Sequence, residues 1–231
     1  MISIIIPTFN NLDYLKLAIE SIKKNSKLPN EIILHVNEGN DGTLDYVKKN
    51  NYKYSYSEIN NGMCIGCNKA ASISKYDLIL YAHDDMYFCP NWDQFLIDEV
   101  NKLDTKLFYL SGTMINGDPK LNGHLNFYAG ETAKTFDELR LLKNYMSLNC
   151  DDFQGSTWAP HLIHKEVWNK VGGFSVEFSP GTGSDPDLNM KLWKEGVRFF
   201  QCLGKSKVYH FGSITIRKKD SKLFAKNQGS K

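Results

Sequence analysis

Asp77–Asp85 reads DLILYAHDD, an apolar run that ends abruptly on a histidine and two adjacent carboxylates. Asp77–Ala82 has the length and composition of a buried strand. A strand that ends on acids at the edge of an open α/β sheet points them at the crevice where such sheets bind ligands. The residues before it set that context. Ile2–Ile6 is almost wholly apolar and mostly β-branched, a second buried strand, and Pro7 is expected to end it. Asn11 or Asp13 can cap a helix whose Leu12, Leu15, Ala18, Ile19 and Ile22 recur at three and four. Glu31–Val36 is a strand, Asn40-Asp41-Gly42 a turn, Thr43–Asn50 helical, Tyr52–Ser57 a strand and Met63–Ser74 a helix of small residues. Strands alternating with helices over short connections predict an α/β fold with a mostly parallel central sheet flanked by helices.

The second half is less regular. Leu107–Ser111, Trp158–His164, Val197–Gln201 and Lys207–Phe211 read as strands, and Thr113–Gly130 as a long excursion. Leu139–Tyr145 and Lys165–Lys170 are expected helices, the latter stopped by Gly172-Gly173. Pro186–Glu195 is a third, with Leu188, Leu192 and Trp193 on one side. No linker or composition shift divides the chain.

Composition narrows the classes. The chain has 231 residues, 42% of them hydrophobic and 13% aromatic, enough for a packed core. Mean hydropathy is −0.41, and no stretch approaches the roughly 20 apolar residues of a membrane span. The opening MISIIIPTFN has no basic segment ahead of its apolar run, unlike a secretory signal. Five cysteines, an odd number, fit a reducing cytoplasm. A net charge of +2 hides a basic C-terminus, with eight Lys and Arg from Lys205 to Lys231 against Asp220 alone. That tail is either a solvated end or a contact for an anionic surface. Nucleic acid is not the expected partner, because the basic residues do not cover a face of the domain.

Three further features bear on chemistry. Gly183-Ser184-Asp185-Pro186-Asp187-Leu188 opens a helix, so Ser184 or Asp185 is a natural cap. A carboxylate held there can equally serve as a general base. His210 ends a strand-like run and is either structural or a metal ligand. Cys64-Ile65-Gly66-Cys67 lacks the second pair a zinc site needs and fits a helix face better. His161 and His164, at odd spacing, face opposite ways and do not share a site.

Taken in order, these segments resemble glycosyltransferase family 2, inverting enzymes of the GT-A (Rossmann-like) fold that use nucleoside-diphospho-sugars. Ser3–Asn10 (SIIIPTFN) is similar to that family's first strand and nucleotide-contacting turn, and Val36–Thr43 (VNEGNDGT) to its second-strand motif. Asn60-Asn61-Gly62 and Asn68-Lys69-Ala70 resemble the next nucleotide-side element, and His83-Asp84-Asp85 its DXD-type motif. Val171–Phe174, Ser184–Leu188 and Val208–Ser213 resemble the acceptor half and the late histidine. The resemblance implies donor contacts at Pro7, Thr8, Asn10, Asn37, Glu38, Asn61, Asn68 and Asp84. It also implies Mn²⁺ or Mg²⁺ at Asp85 and His210, a catalytic base at Asp185, and acceptor contacts at Trp158 and Asp187.

Three positions depart from the family pattern. Asn37 stands where an Asp is usual, Cys67 where an Arg is common, and Ser184 where a Glu usually precedes the base. The expected organisation is one GT-A domain over residues 1–212, with a nucleotide-sugar half (1–112) and an acceptor half (113–212), then a basic tail (213–231). The expected activity is transfer from a nucleotide-sugar, a UDP-sugar first, to a glycan or lipid-linked glycan in surface polysaccharide synthesis. Location is expected to be cytoplasmic, with the tail holding the enzyme at the inner face of the membrane. The alternatives are a sugar- or nucleotide-binding homologue without turnover and a sugar nucleotidyltransferase. The latter wants a Gly-rich phosphate loop that Pro7-Thr8-Phe9-Asn10 does not supply.

Overall fold

A computed structural model describes residues 1–117, 124–155 and 158–212. At its centre lies strand β1 (Ile2–Phe9), in which Ile2, Ile4, Ile5 and Ile6 are buried. Each such isoleucine contributes about 2 kcal/mol by leaving water. Parallel partners flank it, β2 (Asn30–Asn37) on one side and β4 (Leu78–Tyr81) on the other, with β3 (Lys53–Ser57) outside β2. Helices α1 (Leu12–Asn25), α2 (Thr43–Lys49) and α3 (Gly62–Ser72) make the connections, as their apolar periodicity and turn residues predict.

Two local expectations are corrected here. Pro7 does not end β1, which continues to Phe9. Strand β4 pairs only as far as Ile5, so one edge of β1 has no ladder partner at Pro7, and a missing N–H is tolerated there. Asn11 occupies the cap position of α1, but its side chain does not cap, and Asp13 lies within the first turn. The first helical N–H, that of Leu12, donates instead to Asp41 Oδ2 at 2.9 Å.

Helix α3 sits close to the sheet because it is built from small residues. A Cβ at Gly66 would come within 2.7 Å of the His35 ring. Cys64 and Cys67 are buried on this helix and, like the other three cysteines, carry free thiols. Burial pushes the Cys64 thiol up to about 11, so the pair is inert packing, as the absence of a second pair suggested.

Beyond β4 the order becomes mixed. Strand β5 (Met86–Phe88) and helix α4 (Trp92–Val100) fall where the sequence pattern gave no element. Strand β6 (Phe108–Asn116) runs five residues past the expected end at Ser111, into the segment read as an excursion. It lies between β9 (His161–His164) and β10 (Phe199–His210), so both its edges are paired, and tertiary pairing overrides the weak strand propensity of its Gly and Asn. Strand β10 is continuous where two strands were expected. A register shift between Leu203 and Lys207 absorbs the interruption.

The main sheet runs β3-β2-β1-β4-β9-β6-β10-β5, with β9 antiparallel to both neighbours and β5 antiparallel to β10. Short strands β7 (Leu125–Asn126) and β8 (Phe153–Gln154) attach to β6 and β10. Helix α5 (Glu138–Asn144) follows β7, and α6 (Lys165–Val171) ends at Gly172, whose φ of 74° closes it as expected. Helix α7 (Ser184–Lys194) starts two residues earlier than predicted. Its Leu188 and Leu192 are buried, but Trp193 is turned outward with the Arg198 guanidinium over its ring. The result is a single α/β domain with a mostly parallel mixed sheet. Among the described residues no helix is long and apolar enough to cross a membrane. The basic tail, 213–231, lies outside the described residues.

Candidate active site

The expected acids meet where β4 and β10 end. Asp85 Oδ1 lies 3.2 Å from His210 Nε2 and 3.8 Å from His83 Nδ1, and the two imidazole nitrogens are 3.4 Å apart. The Phe211 N–H donates to the Asp85 carbonyl, which locks the end of β10 against the turn after β4. A divalent ion at about 2.1 Å from three ligands needs them about 3.0–3.4 Å apart; two sides of this triangle fall in that range, and the third, from His83 to Asp85, is 3.8 Å. His83 is a candidate ligand that the sequence reading did not include. It was visible as the residue opening the acidic motif, but strand alternation carries no information once the chain turns at Asp84 and Asp85. Burial, with His210 beside it, holds the His83 imidazole down at about 4, so it is neutral and able to coordinate.

Asp84 is used differently from its neighbour. Thr8 Oγ1 donates to its Oδ2 at 2.6 Å and Asn11 Nδ2 to its Oδ1 at 3.1 Å. It therefore fastens the end of β4 to the turn between β1 and α1, which is why Asn11 does not cap its own helix. Beside this turn lies a concavity of about 320 Å³ lined by Asn10, Asn11, Leu12, Asp13, Tyr14 and Asp41. Tyr14 packs edge-on against Phe211, next to the metal-ligand triangle. Asn10 and Glu38 form part of the same rim, with Asn10 Nδ2 donating to Glu38 Oε2 at 3.2 Å and both residues at positive φ.

Three of the residues expected at the donor also make hydrogen bonds within the scaffold. Asn37 is buried and its Oδ1 accepts the Asn61 N–H at 3.0 Å, so this side chain braces the strand end. Asn61 gives its backbone N–H to that brace. Asn68 exchanges two hydrogen bonds with the Phe174 backbone, at 2.7 and 2.9 Å, and staples α3 to the Gly172-Gly173 turn.

Asp185 stands in the first turn of α7, one oxygen buried and the side chain 26% exposed. Neither it nor Ser184 caps the helix, as had been expected. Gly183 takes the cap position and the Ser184 hydroxyl donates to Gly181 O at 2.6 Å. Burial raises the Asp185 carboxyl to about 6, the range in which a carboxylate is useful as a proton acceptor. Asp187 is committed to structure. It accepts from Ser175 at 2.6 Å and lies 4.0 Å from Lys191, tying α7 to the loop after α6. Trp158 is 41% exposed and stacks on His124, so it is available at the surface rather than lost to the core.

One ring links the two acidic regions. Tyr81, buried at the end of β4, lies 5.3 Å from the His83 ring and 5.3 Å from the His161 ring. His161 in turn places Nε2 3.9 Å from Asp185 Oδ1. The spacing of His161 and His164 separated those two residues correctly, yet gave no sign that His161 faces Asp185.

The chain is similar to known proteins in sequence and in fold. A glycosyltransferase of Rickettsia prowazekii described as uncharacterised is 36% identical over 219 residues, covering 90% of this chain and 64% of that protein. The O-antigen biosynthesis protein RfbC of Myxococcus xanthus is 24% identical over 241 residues, 94% of this chain but 18% of its own length. The chain thus spans from about a fifth to about two thirds of the curated relatives it matches. Among solved structures, S. aureus TarS 1-349 in complex with UDP-GlcNAc superposes with a TM-score of 0.66 at 17% identity, covering 90% of this chain and 57% of that one. GalNAc-T7 with UDP, GalNAc and Mn²⁺ gives 0.66 at 17%, covering 91% and 43%. Both share the fold. The sequence pattern of glycosyl transferase family 2 matches residues 3–159, more than half of the chain, and the chain belongs to that family.

Proposed function

We propose that this protein transfers a sugar from a nucleoside diphosphate, UDP first, to a hydroxyl of a glycan or glycolipid acceptor, with inversion at the anomeric carbon. One observation carries the reading. A metal-ligand triangle and a carboxylate raised to about 6 flank the same buried tyrosine at one edge of the sheet. The family membership supports glycosyl transfer, and the UDP-bound neighbours support the donor class by analogy.

Asp85, His210 and His83 would hold a divalent cation, which when bound offsets the charge developing on the leaving diphosphate. Two imidazoles and one carboxylate suit Mn²⁺ better than Mg²⁺, which prefers an all-oxygen shell. Pro7, Thr8, Asn10, Glu38 and Tyr14 line the side on which the nucleotide would lie, and Asp84 fixes that turn for it. Asp185 takes the proton from the acceptor hydroxyl as that oxygen attacks the anomeric carbon on the face opposite the leaving group. A single displacement of this kind inverts the configuration. Trp158, exposed and stacked on one side, is the surface on which an acceptor sugar could lie. The nucleotide-sugar half would be 1–112 and the acceptor half 113–212. The tail 213–231 would attach the enzyme to anionic headgroups at the inner membrane face.

The test is turnover of UDP-sugars with Mn²⁺ in wild type and Asp185→Asn, with donor binding measured in parallel. An enzyme of this kind loses turnover in the variant and keeps donor binding, and its product shows the opposite anomer by proton NMR. Equal turnover in both proteins, or retained configuration, would remove Asp185 from the role.

A further inference from the structure

His161 is wholly buried at the start of β9, with the rings of Tyr81 and Tyr109 against it at 5.3 and 4.9 Å. Neither of its ring nitrogens has a hydrogen-bond partner among the described residues. The same is true of the buried Oδ1 of Asp185, and the two face each other, Nε2 to Oδ1, at 3.9 Å. Buried polar atoms without partners are rare in folded proteins. Two of them facing one another, one step beyond bonding distance, make an unclosed hydrogen bond. Such bonds at catalytic groups are commonly long in the unliganded state and tighten in the complex.

We propose that His161 is a positioning residue for Asp185: its Nε2–H donates to Oδ1 as the donor sugar binds and leaves Oδ2, on the exposed side, for the acceptor hydroxyl. This rests on Asp185 being the base. The chemistry is one-directional. Burial holds His161 at about 3, so the ring stays neutral across the working range and offers a single N–H. The other titratable groups facing Asp185 are Cys64 and Cys67 from α3 and Tyr81 from β4, and burial keeps all three protonated. No cation faces Asp185 among these groups. A donated N–H favours the ionised carboxylate and so opposes the burial that raises it. His161 therefore sets both the direction of the free oxygen and the pH above which the base is ready.

The first test needs no substrate. In wild-type protein labelled with ¹⁵N-histidine, His161 should be the neutral Nε2–H tautomer, and an Nδ1–H tautomer would overturn the proposal. The second compares His161→Phe, which keeps a ring without a donor, with His161→Gln, which returns an N–H near Nε2. Carbon NMR of the Asp185 carboxyl, recorded with UDP-GlcNAc and Mg²⁺ added so that the contact can close, should show its titration moving up by about one pH unit in His161→Phe and back in His161→Gln. With a donor in hand, the acid limb of the kcat–pH profile should move up by about one pH unit in His161→Phe while donor affinity holds. An Asp185 titration that does not move in a folded His161→Phe overturns the proposal. Where that variant does not fold, the wild-type tautomer decides. The tautomer and the carboxyl titration are read without turnover, so they fail separately from the assignment of Asp185, which falls if Asp185→Asn loses less than about tenfold in turnover.

Discussion

Asp85 and Asp185 stand at the two sides of Tyr81, and their surroundings differ in kind. Asp85 is flanked by two imidazoles, His210 at 3.2 Å and His83 at 3.8 Å, ligand atoms converging on a point. Asp185 has a buried oxygen with a neutral histidine 3.9 Å away, and its carboxyl is lifted to about 6 by loss of water alone. The first arrangement suits a carboxylate that stays charged to hold a cation, and the second one that exchanges a proton. Environment rather than residue type assigns the roles.

The comparison can be broken at several points. The largest effect is expected from Asp185→Asn, which removes the proton acceptor. Turnover should fall about 10³-fold, within the range a general base supplies, in an assay with saturating donor. A drop of less than about tenfold would mean the raised carboxyl is structural.

Acid sharpens the contrast between buried neutral and buried charged groups. Burial holds His35 at about 4 and His161 at about 3, below the ordinary histidine value of 6.5. The unfolded chain therefore binds more protons than the folded one between pH 6.5 and 4, and stability falls as pH falls through that window. Each histidine should cost about 3 kcal/mol by pH 4, measured by urea unfolding across the range. A stability flat from pH 7 to 5 would contradict it.

Asp185 works with the opposite sign. Its folded value lies above its unfolded one of 3.8, so the ionised form is the destabilised one and its cost is complete above pH 6. Asp185→Asn should therefore be more stable than wild type by about 1–3 kcal/mol at pH 7.5 and equal to it below pH 4. A variant that loses activity and stability together at pH 7.5 would mean that the carboxylate is held by partners rather than left bare.

The smallest change is expected at Thr8→Val, which takes one of the two named donors from Asp84 without changing shape. It should destabilise the protein by about 1–2 kcal/mol in the same unfolding assay and weaken nucleotide binding through the turn, leaving Asp185 unaffected. A fully stable variant would mean that Asp84 does not fasten the turn.

Much of this was legible in the residues. Strands buried on both faces announce themselves by unbroken β-branched runs, so β1, β2 and β4 were readable, and so were the acids that β4 delivers to the crevice. Elements specified by partners rather than by their own pattern were not. The extension of β6 through Gly112 and Asn116 exists because β9 and β10 pair with it, and the continuity of β10 depends on a bulge at Gly204. A Cβ at Gly204 would collide with the Cys150 carbonyl, a contact that no local window contains. The site divides likewise. Motif order picked out Asp85, His210 and Asp185, which the fold brings near Tyr81, but it gave no sign that Asn37 and Asn68 bond to the scaffold. The couple of His161 with Asp185 is a long-range contact between a strand and a helix and leaves no trace in spacing.

On the proposed reading, the triangle of His83, Asp85 and His210 loads a cation against which a nucleoside diphosphate binds. Calorimetric titration of UDP, with and without Mn²⁺, into wild type and Asp85→Ala tests it most directly. Binding that requires Mn²⁺, is weaker with Mg²⁺ and is lost in Asp85→Ala is the expected result. UDP binding of equal strength with and without metal, or unchanged in Asp85→Ala, would contradict the claim.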